Sequence, residues 1–107
     1  MLACDLTAIT EAERPRYQTL CARLRDSILE RRELPHGYAF RLDSNLVALV
    51  DAAQWISLER LCCPFLSFEV RAAGTEPDFW LSVKGPLQAK PIIAEAFGVM
   101  IRKDSGL

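Results

Sequence analysis

The chain has 107 residues, half of them hydrophobic and a quarter charged, which is sufficient for one domain spanning 1–107 with a single buried core. Thirteen basic and fourteen acidic residues are interspersed, for a net charge of −1. That balance argues against the basic face of a nucleic-acid binder and the polybasic segment of a membrane-surface protein, so neither is an expected partner. Met1-Leu2-Ala3-Cys4-Asp5-Leu6 lacks the basic-then-apolar pattern of a signal peptide, and no run approaches the length of a bilayer span. The expected location is cytoplasmic, where all four cysteines would be reduced thiols and not a disulfide framework.

In chain order, Leu2 to Thr7 is short and apolar-rich and reads as an edge strand or an extended arm. Thr10 with Glu13 three residues later matches a capping box, opening a helix to about Arg32 with Leu20, Cys21, Leu24 and Ile28 as its apolar stripe. Pro15 is awkward in such a helix and points to an irregular first turn, with the regular helix starting nearer Pro15 itself. Glu33 to Gly37 reads as a loop, and Tyr38, Phe40 and Leu42 then alternate with polar or small residues as a half-buried strand.

Asp43 or Ser44 would cap a second helix from about Asn45 to Leu61. Leu46, Leu49, Val50, Ala53 and Ile56 lie on one side of it, and Trp55, Leu58 and Cys62 widen the apolar surface. Pro64 ends it, because the residue before a proline is pushed out of helical geometry. Leu66, Phe68 and Val70 alternate as one strand and Phe79, Leu81 and Val83 as another, joined by the turn-rich segment 72–78. A last helix from Pro91 to Ile101 would bury Ile92, Ile93, Ala96, Phe97 and Met100. The order is (β)-α-β-α-β-β-α, an α+β fold in which helices pack on one face of a small, mainly antiparallel sheet. A sheet edge near the N-terminus could pair across a two-fold axis, so a homodimer is compatible with this layout.

The chemistry concentrates in the adjacent pair Cys62-Cys63, followed at once by Pro64-Phe65. The chain has no phosphate loop, nucleophile elbow, paired metal-binding histidines or dinucleotide fingerprint. Two neighbouring thiols can ligate a soft metal ion or act as a redox couple. The partial negative charge at a helix C-terminus disfavours a thiolate there, and the Cys-x-x-Cys spacing of thioredoxin-type sites is absent. A soft cation reverses that balance by deprotonating its ligands.

Adjacent cysteines supply two of three ligands, and Cys4 is the third candidate if the N-terminal segment packs beside the helix–strand joint. Three thiolates suit mercury, trivalent arsenic or copper in its monovalent state. Zinc fits less well, because structural zinc takes four ligands and the fourth would have to be Cys21 or His36. Cys21 reads as core packing and His36 as a loop residue. Glu59, one turn before the pair, reads as a solvated or salt-bridged carboxylate, or else as a proton acceptor or ligand. Trp80 faces away from Phe79, Leu81 and Val83, either covered locally or marking a contact surface.

The segments Ala3-Cys4-Asp5-Leu6, Leu34-Pro35-His36-Gly37-Tyr38, Glu59-Arg60-Leu61-Cys62-Cys63-Pro64-Phe65 and Trp80-Leu81 leading to Gly85-Pro86 together resemble a group of small uncharacterised bacterial proteins of about 100 residues. The similarity runs over nearly the whole chain. It implies that Cys4, Cys62 and Cys63 belong to a shared pattern, and that Cys21 and His36 do not. It implies no activity.

The sequence therefore points to a small thiol-based protein that binds a soft metal or metalloid ion, or a small thiol-reactive ligand. Two alternatives stand beside it: a thiol-disulfide or peroxide redox protein, and a structural or interaction module with packed cysteines. No residue set nominates a catalytic centre.

Overall fold

The computed structural model describes residues 3–98. Side-chain alternation decides its two central strands, β2 (Gly37–Leu42) and β4 (Phe79–Lys84), numbered here with their outer neighbours β1 (Ile28–Leu34) and β3 (Ser67–Ala72). Across the β2–β4 ladder Tyr38 faces Val83, Phe40 faces Leu81 and Leu42 faces Phe79. These rows point to one side, and Phe40, Leu42, Leu81 and Val83 are wholly buried. Burying a side chain of this size contributes roughly 1.5–3 kcal/mol. The sheet order is β1-β2-β4-β3, and every neighbouring pair is antiparallel.

Three helices, α1 (Arg14–Asp26), α2 (Leu49–Cys62) and α3 (Lys90–Ala96), close the apolar face of the sheet, with short 3-10 turns at Leu6–Ala8 and Leu87–Ala89. Leu20 and Leu24 of α1, Trp55 of α2 and Ile93 of α3 meet Phe40, Leu81 and Val83 in one core. Phe97 stacks on Phe40 at 4.4 Å between ring centroids and meets Trp55 edge-on at 5.5 Å. The α+β class, with helices on one face of an antiparallel sheet, follows from this arrangement.

Thr10 and Glu13 bond to each other, the Thr10 hydroxyl donating to the Glu13 carboxylate at 2.9 Å and accepting from the Glu13 N–H at 3.3 Å. They close a turn ahead of the helix, which starts at Arg14 with Glu13 in the cap position and no side-chain cap bond, and is shorter than the sequence predicts. It stops at Asp26, where Ser27 turns its hydroxyl back to the Leu24 carbonyl at 2.8 Å. Residues 28–34, which read as helix and loop, instead pair along β2 as strand β1. Charged residues of good helix propensity are held extended there by the ladder and by the cross-strand ion pair of Glu30 with Arg41 at 3.2 Å.

The turn between β1 and β2 is only Pro35-His36, since Leu34 and Gly37 are already paired. Gly37 is required there: a Cβ would fall on the Val83 carbonyl oxygen of the adjacent strand. On the uncovered face of the sheet, the Arg32 guanidinium lies 4.4 Å over the ring of Trp80, so that ring is covered locally.

Three other segments differ from expectation. Leu2 to Thr7 forms no strand in its described part; Asp5 caps the turn at Leu6–Ala8, and Ile9 drops into the core. The second helix begins at Leu49, because Asp43 caps a preceding turn through its carboxylate to the Asn45 N–H at 2.9 Å. Its buried face is Ala52, Trp55, Leu58, Glu59 and Cys62, whereas Leu46, Leu49 and Val50 are exposed. The last helix ends at Ala96, with Gly98 at φ 67°, and the predicted continuation through Met100 and Ile101 lies outside the described residues.

Asp51 ties α2 to α1. Its carboxylate accepts from the Ala48 N–H at 3.1 Å and pairs with Arg16 at 3.0 Å and Arg23 at 3.5 Å. The Ala48 N–H above all, aided by both guanidiniums against partial burial, holds this carboxyl below the usual carboxylate range. A depressed folded value gives stability that is present above the unfolded pKa of about 4 and lost as pH falls through the folded one. Asp51→Asn is therefore expected to cost about 0.5–1 kcal/mol at pH 7 in urea unfolding. The deficit should close in acid; a deficit that persists at pH 2 would contradict this role.

Candidate functional site

The last turn of α2 and the N-terminal arm build the site together. Cys62 is the final helical residue and Cys63 the cap, its N–H donating to the Glu59 carbonyl at 2.7 Å. Pro64 cannot continue the helix, and the Leu66 N–H closes a turn onto the Cys63 carbonyl at 3.1 Å before β3 begins. Both cysteines are buried, at 3% and 1% exposure.

Against this joint lies the arm. The Asp5 N–H donates to the Cys62 carbonyl at 2.8 Å, one of the acceptors a helix C-terminus leaves unpaired. The Asp5 carboxylate accepts from the Thr7 N–H at 3.0 Å and from its hydroxyl at 2.5 Å, fixing the turn that sends Ile9 into the core. Cys4, one residue earlier, is thereby set beside the pair but remains exposed.

The sulfur atoms of Cys4, Cys62 and Cys63 all lie within 4.8 Å of one another. Cys4 and Cys63 are joined as a disulfide with their Cα atoms 4.6 Å apart, and Cys62 keeps a free thiol. This departs from the expectation of four reduced cysteines. The arm delivers an exposed sulfur onto a buried one, and a link across 59 residues of sequence removes chain freedom worth about 4 kcal/mol in the unfolded state. Cys21 and His36 are outside the sulfur cluster. Cys21 is half-buried against the core, and His36 occupies the β1–β2 turn, where its carbonyl accepts from the Gly85 N–H at 3.0 Å.

Glu59 is not the solvated carboxylate that its sequence neighbourhood suggests. It is 5% exposed, accepts from the Tyr17 hydroxyl at 2.5 Å, and places Oε2 3.3 Å from Cys63 Sγ. In the reduced protein a Cys63 thiol would donate across that gap. Burial pushes the Glu59 carboxyl above the usual range, with the Tyr17 hydrogen bond opposing. The Tyr17 phenol is raised by burial first and by Glu59 second. Burial also raises the Cys62 thiol, and Glu59 adds to that.

Tyr17 was invisible as a site residue in the sequence, since its partner lies 42 positions away on another helix. The available signal was the Glu59-to-Cys63 spacing of four, which sets a carboxylate and a thiol on one helix face. Beside this pair, Tyr17, Cys21, Trp55, Glu59 and Phe97 line a small cavity of about 30 Å³. The buried Trp55 Nε1 has no hydrogen-bond partner among the described residues.

Among the described residues no helix is long and apolar enough to cross a membrane. Comparison with protein-family models, with curated proteins and with solved structures finds no match. The chemistry therefore has to be read from the site itself: three convergent sulfurs, one accessible and two shielded, with a buried carboxyl and a half-buried phenol behind them.

Removing the Tyr17 hydroxyl leaves a buried carboxyl without its donor, which costs about 1–3 kcal/mol. Tyr17→Phe should lower the urea midpoint accordingly while retaining the native circular dichroism. An unchanged midpoint would show that Glu59 needs no such partner.

Proposed function

We propose that the reduced protein is a small thiol-based binder of a soft metal or metalloid ion, with Cys62 and Cys63 as a dithiol and Cys4 as the third ligand. The observation that carries this reading is the convergence of three sulfurs within 4.8 Å from two separate chain segments. An ion that accepts three thiolates is matched by that donor set, and among the described residues no fourth cysteine or histidine joins the cluster, which weighs against structural zinc. Burial of Cys62 and Cys63 supports low coordination, because water is held away from two of the three donors. Such a protein would serve buffering, resistance or sensing of thiophilic ions.

Catalysis by an attacking thiolate is favoured by one observation, the Cys4–Cys63 bond, and opposed by two others. The free thiol, Cys62, is buried at a helix C-terminus, and burial together with Glu59 raises it instead of activating it.

The test is titration of the fully reduced protein with mercuric, arsenite, cuprous and zinc ions, followed by thiolate-to-metal absorbance and intact mass. One ion per chain is expected, bound at submicromolar concentration. Cys62→Ser or Cys63→Ser should abolish binding, Cys4→Ser should weaken it at least tenfold, and Cys21→Ser should leave it unchanged. Affinity no better than that of dithiothreitol would overturn the reading.

A further inference from the structure

The Cys4–Cys63 disulfide and a three-thiolate metal site would draw on the same sulfurs, so one excludes the other. A sulfur engaged in a disulfide offers no thiolate to a cation. With Cys4 bonded to Cys63, two of the three donors are withdrawn and only the buried Cys62 thiol is left. We propose that the Cys4–Cys63 disulfide is the closed state of a redox-gated metal site, opened by reduction. This inference rests on the soft-metal reading above and adds its regulation.

The exposure of the sulfurs fixes the route. Cys4 is exposed, whereas Cys62 and Cys63 are shielded, so an external oxidant meets Cys4 first. With a low-molecular-weight disulfide RSSR as oxidant, the Cys4 thiolate attacks one sulfur, the S–S bond of RSSR breaks, and one RS⁻ leaves to take up the proton Cys4 lost. The Cys63 thiolate then attacks the Cys4 sulfur of the mixed disulfide. The second RS⁻ leaves and takes the Cys63 proton. Two protein thiols are oxidised to one disulfide and RSSR is reduced to two RSH, so electrons and protons balance.

The arm need not travel for this exchange. The Asp5-to-Cys62 hydrogen bond and the buried Ile9 both anchor the arm just after Cys4, and so keep its sulfur beside the pair. Because the oxidised and metal-bound states share ligands, the coupling is reciprocal: oxidation suppresses metal binding and bound metal suppresses oxidation.

Arsenite is the suitable probe, since a stable complex needs two or three thiolates on one centre and a lone thiol holds it poorly. The full chain carrying Cys21→Ser is titrated with arsenite after reduction, and again after oxidation by glutathione disulfide. The reduced form is expected to bind one arsenite, and the oxidised form to lose at least 100-fold in affinity and regain it on reduction. In the reverse direction, arsenite-loaded protein challenged with glutathione disulfide should form the Cys4–Cys63 bond at least tenfold more slowly, read by peptide mass mapping.

Equal arsenite affinity in both forms would overturn the gate and leave the soft-metal reading standing. Failure of the reduced form to bind would overturn the soft-metal reading itself. In Cys63→Ser, glutathione should accumulate as a mixed disulfide on Cys4; accumulation on Cys62 instead would overturn the proposed route.

Discussion

The hydrogen bond from the Asp5 N–H to the Cys62 carbonyl, 2.8 Å long, sets the geometry on which the site depends. A helix end always leaves carbonyls in need of donors, and here the N-terminal arm supplies one. The arm is held again at Ile9, whose burial contributes roughly 2 kcal/mol or more. Both anchors follow Cys4, and the nearer one is the adjacent residue, which sets Cys4 beside the pair. A single backbone bond, a net contribution of about 1 kcal/mol by itself, thus decides whether three sulfurs converge or two remain alone.

Behind the sulfurs, α2 gives up apolar burial for chemistry. Glu59 takes a place on the buried face between Leu58 and Cys62 where an apolar residue would pack at no electrostatic cost. The Tyr17 hydroxyl compensates one carboxyl oxygen, and the other faces Cys63 Sγ. A buried polar group with one protein donor and one sulfur neighbour is a constrained arrangement that only two packed helices can hold. Rigidity at the helix–strand joint follows from the same packing and from Pro64. The dithiol is therefore presented at a fixed seat, and access is controlled from the Cys4 side.

Much of this was legible in the residues. Period-two alternation in Tyr38–Leu42 and Phe79–Val83 is unambiguous because each strand has one buried face, and the observed ladder follows it. The Thr10–Glu13 pairing is local chemistry and forms, although the helix begins after it and not at Thr10. Strand β1 was hidden because Glu30, Arg31, Arg32 and Glu33 carry no alternation; only pairing with β2 and the Glu30–Arg41 ion pair across the strands make them extended. The phase of α2 was misjudged for a related reason. Its segment is apolar on every side, so periodicity does not say whether Leu49 and Val50 or Ala52 and Trp55 face the core. The core is reached by the face that also carries Glu59 and Cys62, which is why the carboxylate is buried. Cys4 could be named from the sequence, but its place beside the pair depends on the Asp5 hydrogen bond, a tertiary contact without a local signature.

X-ray absorption at the metalloid edge of the reduced protein with one equivalent of arsenite tests the central claim most directly, because it counts the atoms bound to the ion. The account predicts a first shell of three sulfurs in the wild type, falling to two sulfurs and an oxygen in Cys4→Ser. A wild-type shell of two sulfurs, or one unaffected by loss of Cys4, would contradict a site built by the arm and the helix end together.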